Sequence, residues 1–203
     1  MKVLVMKNEI LITGPSLKPL EKKAEILIIF FHGWGSNGDD LIQLAPLFAK
    51  HFPSAYFLSP NGPEECPQNP FGGKQWFGLD FNSDGGIDRS NMPQKVSSAA
   101  ENVNKFIKHW QNKLSISNEK TILIGFSQGS MLSLEIGTNI LFGGLLCYSG
   151  SFIKNNRPLT KKHKIMLIHG ELDEVIPIQS MENAKSALEN LGATVNSYIS
   201  KNL

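Results

Sequence analysis

The sequence predicts an α/β fold with a mostly parallel central sheet, helices on both faces and an antiparallel hairpin at the N-terminal edge. Short apolar runs alternate with stretches whose apolar residues recur every three or four positions, the pattern of strands alternating with amphipathic helices. Some runs, such as 26–31, are apolar without interruption, as expected for interior strands buried on both faces. Loops that follow three of the strands, where ligands bind in such a sheet, are therefore the candidate positions for a catalytic site.

The first half of the chain begins with two short segments around Asn8 that predict the hairpin. After the first interior strand, a glycine-rich turn leads into a helix for which Asp39 is a candidate N-cap. In chain order, the elements predicted here are strands at 2–7 and 9–13, a loop at 14–23, a strand at 26–31, a helix from 39 to about 50 and a strand at 55–59.

Residues 60–80 form a long excursion rich in proline and glycine. A structureless loop of this length inside a compact domain usually covers a site or is disordered. The segment carries Trp76 and Phe77, which are costly to leave in water. Two interpretations remain open: the two side chains line a pocket, or they pack the loop onto the core.

In the second half, apolar residues from Met92 to Leu114 recur at helical spacing and predict one long amphipathic helix. A further amphipathic helix begins near Ile178 and is ended by Gly192. The remaining elements predicted here are strands at 121–124, 144–149, 165–169 and 194–200, with a helix directly after the first of them.

Composition predicts one domain, residues 1–203, and excludes several functional classes. A formal charge of +2, with 19% charged residues, argues against a nucleic acid or anionic membrane partner. The two cysteines form neither a C-x-x-C pair nor a disulfide framework, which is typical of the cytoplasm. No apolar stretch approaches about 18 residues, so no integral membrane segment is expected.

The sequence GFSQG at 125–129 is a G-x-S-x-G pentapeptide centred on Ser127. A buried strand precedes it and a helix follows, which is the context of a nucleophile elbow. Glycines on both sides suit a turn this sharp, because a Cβ there would clash with the backbone. The alternative is a glycine-rich turn that only packs closely. We therefore expect Ser127 to be an exposed, strained nucleophile.

A serine nucleophile needs two backbone N–H donors for the oxyanion that forms at the attacked carbonyl. The N–H of Gln128 directly follows the nucleophile, and that of Trp34 lies in the glycine-rich loop after an early strand. Asp173 is the candidate acid that orients the base, since it follows a strand and comes after the serine in chain order. Its rivals are Glu171 and Glu174, and all three also suit an exposed acidic turn.

The general base is harder to assign. For the order serine, aspartate, histidine, the histidine should follow the last strand, but no histidine occurs after His169. His32 and His169 lie at strand ends, where histidines more often bond loop backbone. The other three, His51, His109 and His163, have helix-end or surface contexts.

With these residues the chain resembles the phospholipase/carboxylesterase family of α/β-hydrolases, which includes acyl-protein thioesterases. The resemblance covers nearly the whole chain and is carried by FHGWG at 31–35, WF at 76–77, GI at 86–87, GFSQG at 125–129, YSG at 148–150, and HG at 169–170 with Asp173 and VIP at 175–177.

This resemblance implies an α/β-hydrolase fold in which Ser127 is the nucleophile and Asp173 the triad acid. It further implies an oxyanion hole made by the N–H groups of Trp34 and Gln128, with Trp76 and Phe77 beside the acyl site. Neither a metal nor an organic cofactor is implied. The expected activity is hydrolysis of small or acyl-chain esters or thioesters through an acyl-serine intermediate.

The C-terminus departs from the family pattern. The family places its base histidine in a glycine-containing turn shortly after the last strand and adds a closing helix. Here YISKNL at 198–203 ends where that turn is expected, so we expect the turn, the histidine and the helix to be missing and the activity to be impaired. The alternatives are a non-catalytic acyl-ligand-binding or interaction protein, or a chain that associates through exposed sheet surface.

Overall fold

A computed structural model describes residues 12–153, 159 and 163–201. In chain order the strands are β1 (Ser16–Leu17), β2 (Ile26–Phe31), β3 (Ala55–Leu58), β4 (Glu64–Glu65), β5 (Lys74–Gln75), β6 (Asp80–Phe81), β7 (Ile87–Asp88), β8 (Thr121–Phe126), β9 (Gly144–Tyr148), β10 (Lys164–Gly170) and β11 (Thr194–Ser200). The α-helices are α1 (Gly38–Ile42), α2 (Ala45–Ala49), α3 (Met92–Leu114), α4 (Gln128–Asn139) and α5 (Gln179–Asn190).

Seven strands form the main sheet, in the order β1-β3-β2-β8-β9-β10-β11. Every neighbouring pair is parallel except β1 with β3, so the predicted mostly parallel α/β fold is confirmed. The antiparallel edge strand is Ser16–Leu17, inside the predicted loop at 14–23. The hairpin predicted at 2–13 lies almost wholly outside the described residues.

The interior strand β2 shows why the sheet needs cover on both faces. Its side chains alternate between two buried clusters, with Ile29 packed in the larger cluster and Phe30 in the smaller. The larger cluster includes apolar residues of α3, α4 and α5, and the smaller one includes Ala45 and Ala49 of α2. Within the described residues, no helix is long and apolar enough to cross a membrane.

The helix predicted from 39 to about 50 is wrong in two respects. Its N-cap is Asn37, whose side-chain oxygen accepts the N–H groups of Asp39 and Asp40 at 2.8 and 3.3 Å. The stretch is also two short helices, because Pro46 has no N–H to bond and takes a first-turn position of a new helix, α2. Because Asn37 caps α1, the loop at 32–36 lies directly between β2 and that helix.

The excursion at 60–80 contains local structure where a structureless loop was expected. Two short antiparallel ladders, β4 with β5 and β6 with β7, organise it and the residues that follow. Trp76 is 1% exposed and Phe77 is 3% exposed, and both belong to the larger core cluster. Of the two interpretations left open, packing of the loop onto the core describes both side chains.

Candidate active site

Ser127 lies at the sharp turn between β8 and α4, with φ 51° and ψ −111°. Positive φ is uncommon for a residue with a Cβ and costs on the order of 1–3 kcal/mol, so the surrounding structure must hold it. Part of that support comes from the neighbouring strand, because the Ser127 N–H donates to the Tyr148 carbonyl at 2.8 Å. This is the conformation of a nucleophile elbow.

The two glycines of the pentapeptide are required by close backbone packing. A Cβ on Gly125 would overlap the Gly129 carbonyl oxygen, and a Cβ on Gly129 would overlap the Phe31 carbonyl oxygen. The turn therefore brings α4 against β8 and β2 at distances that only glycine permits.

Both candidate oxyanion donors lie beside Ser127. Gln128 is the first residue of α4, so its N–H has no acceptor in the helix. The loop at 32–36 lies against the elbow, since a Cβ placed on Gly33 would be 3.4 Å from the Ser127 Cβ. Among the described residues, neither the Gln128 nor the Trp34 N–H has a hydrogen-bond acceptor, so both donors are available.

Asp173 lies in the turn after β10, with its side chain 18% exposed. Its Oδ1 accepts the N–H groups of Val175 and Ile176 at 3.0 and 2.8 Å. Burial acts to raise the pKa of Asp173, but the Ile176 N–H, the Ser149 hydroxyl, the Val175 N–H and His169 together outweigh it and lower the pKa below its ordinary value. The carboxylate is therefore ionised at neutral pH.

The rival acids lack this environment. Glu171 and Glu174 are exposed, and no hydrogen bond or ion pair of either side chain is found among the described residues. The geometry thus favours Asp173 as the acid of this site.

Ser149 was not among the candidate site residues predicted from the sequence. It has φ 45°, its N–H donates to the Ile168 carbonyl at 2.9 Å, and its hydroxyl bonds Asp173. It directly follows β9, which lies between the strands that carry Ser127 and Asp173. The motif YSG at 148–150 was visible, but a positive φ at a serine has no signal in sequence.

None of the five histidines, all of them among the described residues, forms a hydrogen bond with Ser127. His32 is fully buried: its Nε2 accepts the Gly62 N–H at 2.8 Å, so the ring proton lies on Nδ1, which donates to the Gly33 carbonyl at 2.7 Å. Burial lowers the pKa of His32, while the Gly33 bond and the Asp40 charge oppose that shift. Both nitrogens are occupied, so His32 is structural.

His169 is 1% exposed and is hydrogen-bonded to the turn that carries Asp173. Its Nε2–H donates to the Ile176 carbonyl at 2.6 Å and lies 3.5 Å from Asp173 Oδ2, while Nδ1 has no partner among the described residues. His51 and His109 are exposed, and His163 is buried with a backbone bond to Gly137. The structure therefore brings a serine and an acid to one edge of the sheet and places no histidine between them.

A groove of about 570 Å³ is lined by Trp76 and Phe77 together with one face of α3. Neither Ser127 nor Asp173 lies in its walls. Because both aromatic side chains are almost completely buried, they offer the groove little surface.

Comparison with known proteins identifies the family of this chain. The profile of the Phospholipase/Carboxylesterase family matches residues 13–202. Esterase YpfH of Escherichia coli is 29% identical over 177 residues, which cover 86% of this chain and 73% of that protein. Acyl-protein thioesterase 1 of Kluyveromyces lactis is 30% identical, with 82% of this chain and 77% of that protein covered.

Among solved structures, that of esterase PE8 superposes with a TM-score of 0.85 at 31% identity and covers 93% of this chain and 88% of its own. The names of these relatives are those of an esterase and a thioesterase, and the family profile spans most of the chain. The chain therefore belongs to the Phospholipase/Carboxylesterase family of α/β-hydrolases.

Proposed function

We propose that Ser127 is the nucleophile of a serine carboxylesterase or acyl thioesterase that acts on small or acyl-chain esters. The observation that carries the proposal is the strained Ser127 at the head of α4, flanked by two free N–H donors on Trp34 and Gln128. Asp173 is the acid of the site, held ionised by its hydrogen bonds. The names of the relatives support ester and thioester bonds as the substrate class.

In the proposed reaction, the Ser127 Oγ attacks the carbonyl carbon as a base removes the hydroxyl proton. The carbonyl oxygen becomes an oxyanion held by the two N–H donors, and it collapses to expel the alcohol or thiol, which takes up a proton. Water then attacks the acyl-serine by the same route and releases the carboxylic acid and free Ser127. Each half of the reaction therefore needs a proton acceptor beside Oγ.

None of the five histidines, all of which are among the described residues, is positioned as that acceptor. In serine hydrolases, loss of one triad member leaves the contribution of the oxyanion hole and of binding, with kcat lower by about 10⁴ to 10⁶. A polypeptide of these residues should therefore hydrolyse esters slowly.

Chemical rescue tests the proposal. Imidazole added to the buffer supplies a diffusible base, so hydrolysis of p-nitrophenyl acetate, after subtraction of the protein-free reaction of imidazole with the ester, should rise with imidazole concentration in the wild type. The rise should be absent in Ser127→Ala and present in Ser186→Ala, the matched control at an exposed serine of α5. Esterase rates that need no imidazole would show that a base exists within the chain; a rise that survives Ser127→Ala would exclude Ser127 as nucleophile.

The second candidate function is a non-catalytic acyl-ligand-binding protein, favoured by the absence of any histidine bonded to Ser127. Isothermal titration with a fatty acid distinguishes the two. Tight binding with no imidazole-dependent turnover would support the binding protein, and turnover would exclude it.

For either function we propose a cytoplasmic location, because Cys66 and Cys147 are free and buried, as suits a reducing compartment.

A further inference from the structure

Residues 74–77, here called the strap, run between the loop at 32–36 and the head of α4. The strap pairs with that loop through its backbone: the Gly35 N–H donates to the Lys74 carbonyl at 2.9 Å, and the Lys74 N–H donates to the Ser36 carbonyl at 2.7 Å. The loop that carries Trp34 is therefore joined to the strap along its C-terminal part.

Two indole groups extend this connection. The Trp34 Nε1–H donates to the Gln75 Oε1 at 2.9 Å, so the residue with the first candidate oxyanion N–H is tied to the strap by its own side chain. The Trp76 Nε1–H donates to the His32 carbonyl at 2.8 Å, two residues before Trp34. The Trp76 indole also packs edge-on against the Phe31 ring, and this contact limits its movement.

The residue with the second candidate donor is tied to the same strap. The Gln128 Oε1 accepts the Trp76 N–H at 2.9 Å, and the Gln128 Nε2 donates to the Phe77 carbonyl at 2.8 Å. The Gln128 side chain is 3% exposed, so both bonds are made away from water. Buried polar groups are expensive to leave unpaired, so these bonds hold the side chain in one orientation.

These contacts form one connected set, here called the ring, because the Trp34 indole returns to the strap at Gln75. From the Gln128 backbone the connection runs through its side-chain amide to Trp76, through the Trp76 indole to the His32 carbonyl, and along the chain to Trp34. Oxyanion donors act well only at about 2.7–3.1 Å from the developing charge, so their mutual spacing must be fixed. The ring joins the two candidate donors by a route that does not pass through Ser127.

We infer that the Gln128 side chain and the strap are positioning groups that set the spacing of the Trp34 and Gln128 N–H groups. This inference rests on the proposed function for its catalytic consequence. It gives Trp76 and Phe77 a different role from the acyl-site contact expected from the family resemblance. Their backbone groups and the Trp76 indole hold the residues that carry the two candidate oxyanion donors.

The indole N–H signals of the three tryptophans report the ring directly in ¹H–¹⁵N NMR spectra, with no substrate. Gln128→Met removes both amide bonds at similar side-chain length, so the Trp34 and Trp76 signals should move and exchange faster with solvent. Trp110, on α3, should not respond. Gln111→Met is the matched control, because Gln111 is also a buried glutamine whose Nε2 donates to two side chains, Asn118 and Thr121.

In the control the expected pattern is reversed, with Trp110 affected and Trp34 and Trp76 unchanged. If the Trp34 and Trp76 signals are the same in Gln128→Met as in the wild type, the ring does not couple the two loops and the inference is wrong. If Gln128→Met does not fold, Trp76→Phe serves instead: it removes one N–H, and the Trp34 indole signal should still move.

Kinetics tests the catalytic consequence. In the imidazole-assisted reaction, Gln128→Met should lower kcat by about 10- to 100-fold, as displacement of a reacting group by about 1 Å does, with KM unchanged. Gln111→Met should leave both constants unchanged in the folded fraction. A rise in KM alone would assign the strap to substrate binding. A wild type without Ser127-dependent turnover would refute the proposed function, while the NMR result would still decide the ring.

Discussion

The surroundings of Ser127 and of Asp173 differ sharply, although both residues lie at the same edge of the sheet. Ser127 is backed by glycines in backbone contact, by the strap and by fully buried side chains such as Trp76. In the turn that carries Asp173 the large apolar side chains are exposed, with Leu172 67% and Val175 87% accessible to solvent.

The difference separates two kinds of support. The nucleophile half depends on packing and on hydrogen bonds that join distant parts of the chain, so its geometry is fixed by the whole fold. The acid half depends mainly on local bonds: Asp173 accepts N–H groups two and three residues further on, and His169 bonds Ile176 seven residues away. The Ser149 hydroxyl adds one bond from the neighbouring strand end. We therefore expect truncation of buried groups in the first half to lower the free energy of unfolding more than substitutions in the second half.

The largest expected effect comes from comparing a buried aromatic residue of the nucleophile half with an exposed one on the edge strand β11 next to the acid strand β10. Trp76→Ala should lower the free energy of unfolding by about 3–5 kcal/mol, because it deletes a buried indole and its bond to His32. Tyr198→Ala should change it by no more than about 0.5 kcal/mol, since most of that ring is already in water. Urea unfolding measures both, and equal losses would contradict the comparison.

Two glycines give the next effect. Gly129→Ala should cost up to about 3 kcal/mol, because the added methyl group overlaps the Phe31 carbonyl in a place with no room to move. Gly144→Ala is the control, since nothing lies within 4 Å of a Cβ there. If both variants unfold at the wild-type urea concentration, the elbow is looser than the structure shows.

In the acid half, Asp173→Ala should cost about 1–2 kcal/mol, because the Val175 and Ile176 N–H groups lose a charged acceptor. Asp173→Asn keeps an oxygen acceptor and should cost less. Glu174→Ala, an exposed neighbour, should have no measurable effect. Thermal unfolding ranks the three variants, and a cost at Glu174 equal to that at Asp173 would remove the argument for Asp173.

The smallest effects are in the pH dependence of stability, where the two halves should titrate in different ranges. Burial lowers the pKa of His32, so the unfolded chain takes up a proton first, and stability present above about pH 6.5 is lost as the pH falls below that value. Hydrogen bonds lower the pKa of Asp173 despite its burial. The stability that the Asp173 carboxylate contributes is therefore lost only as the pH falls below about 3.8.

Urea unfolding between about pH 8 and pH 3 checks both ranges. His32→Gln should flatten the dependence below about pH 6.5; part of it should remain, because burial also lowers the pKa of His163. Asp173→Asn should act only at the acidic end. A His32→Gln variant with an unchanged profile would show that His32 is not the group that titrates.

Features set by local pattern were predictable from the sequence. The strand, the turn and the helix around Ser127 follow from a short apolar run, two glycines and a helical periodicity within about twenty residues. The long helix α3 is predicted for the same reason. The helix expected from 39 to 50 was wrong because Asn37 and Pro46, two single residues, determine where its two pieces begin.

Features set by distant contacts were not predictable in this way. Whether Trp76 lines a pocket or packs in the core depends on Gln128, 52 positions further along the chain. The choice of Asp173 over its acidic neighbours depends in part on the Ser149 hydroxyl, which bonds Asp173 from the end of the neighbouring strand β9. The structural role of His32 depends on the Gly62 N–H, 30 positions away. Each of these contacts exists only once the sheet has formed.

The most direct test of Ser127 as a nucleophile without a base in this chain is reaction with a fluorophosphonate probe, followed by intact-mass measurement. A polypeptide of these 203 residues should gain one adduct slowly, faster when imidazole is present, and none in Ser127→Ala. Fast labelling without imidazole would contradict the absence of a base. No adduct on a folded sample, with or without imidazole, would contradict the assignment of Ser127 itself.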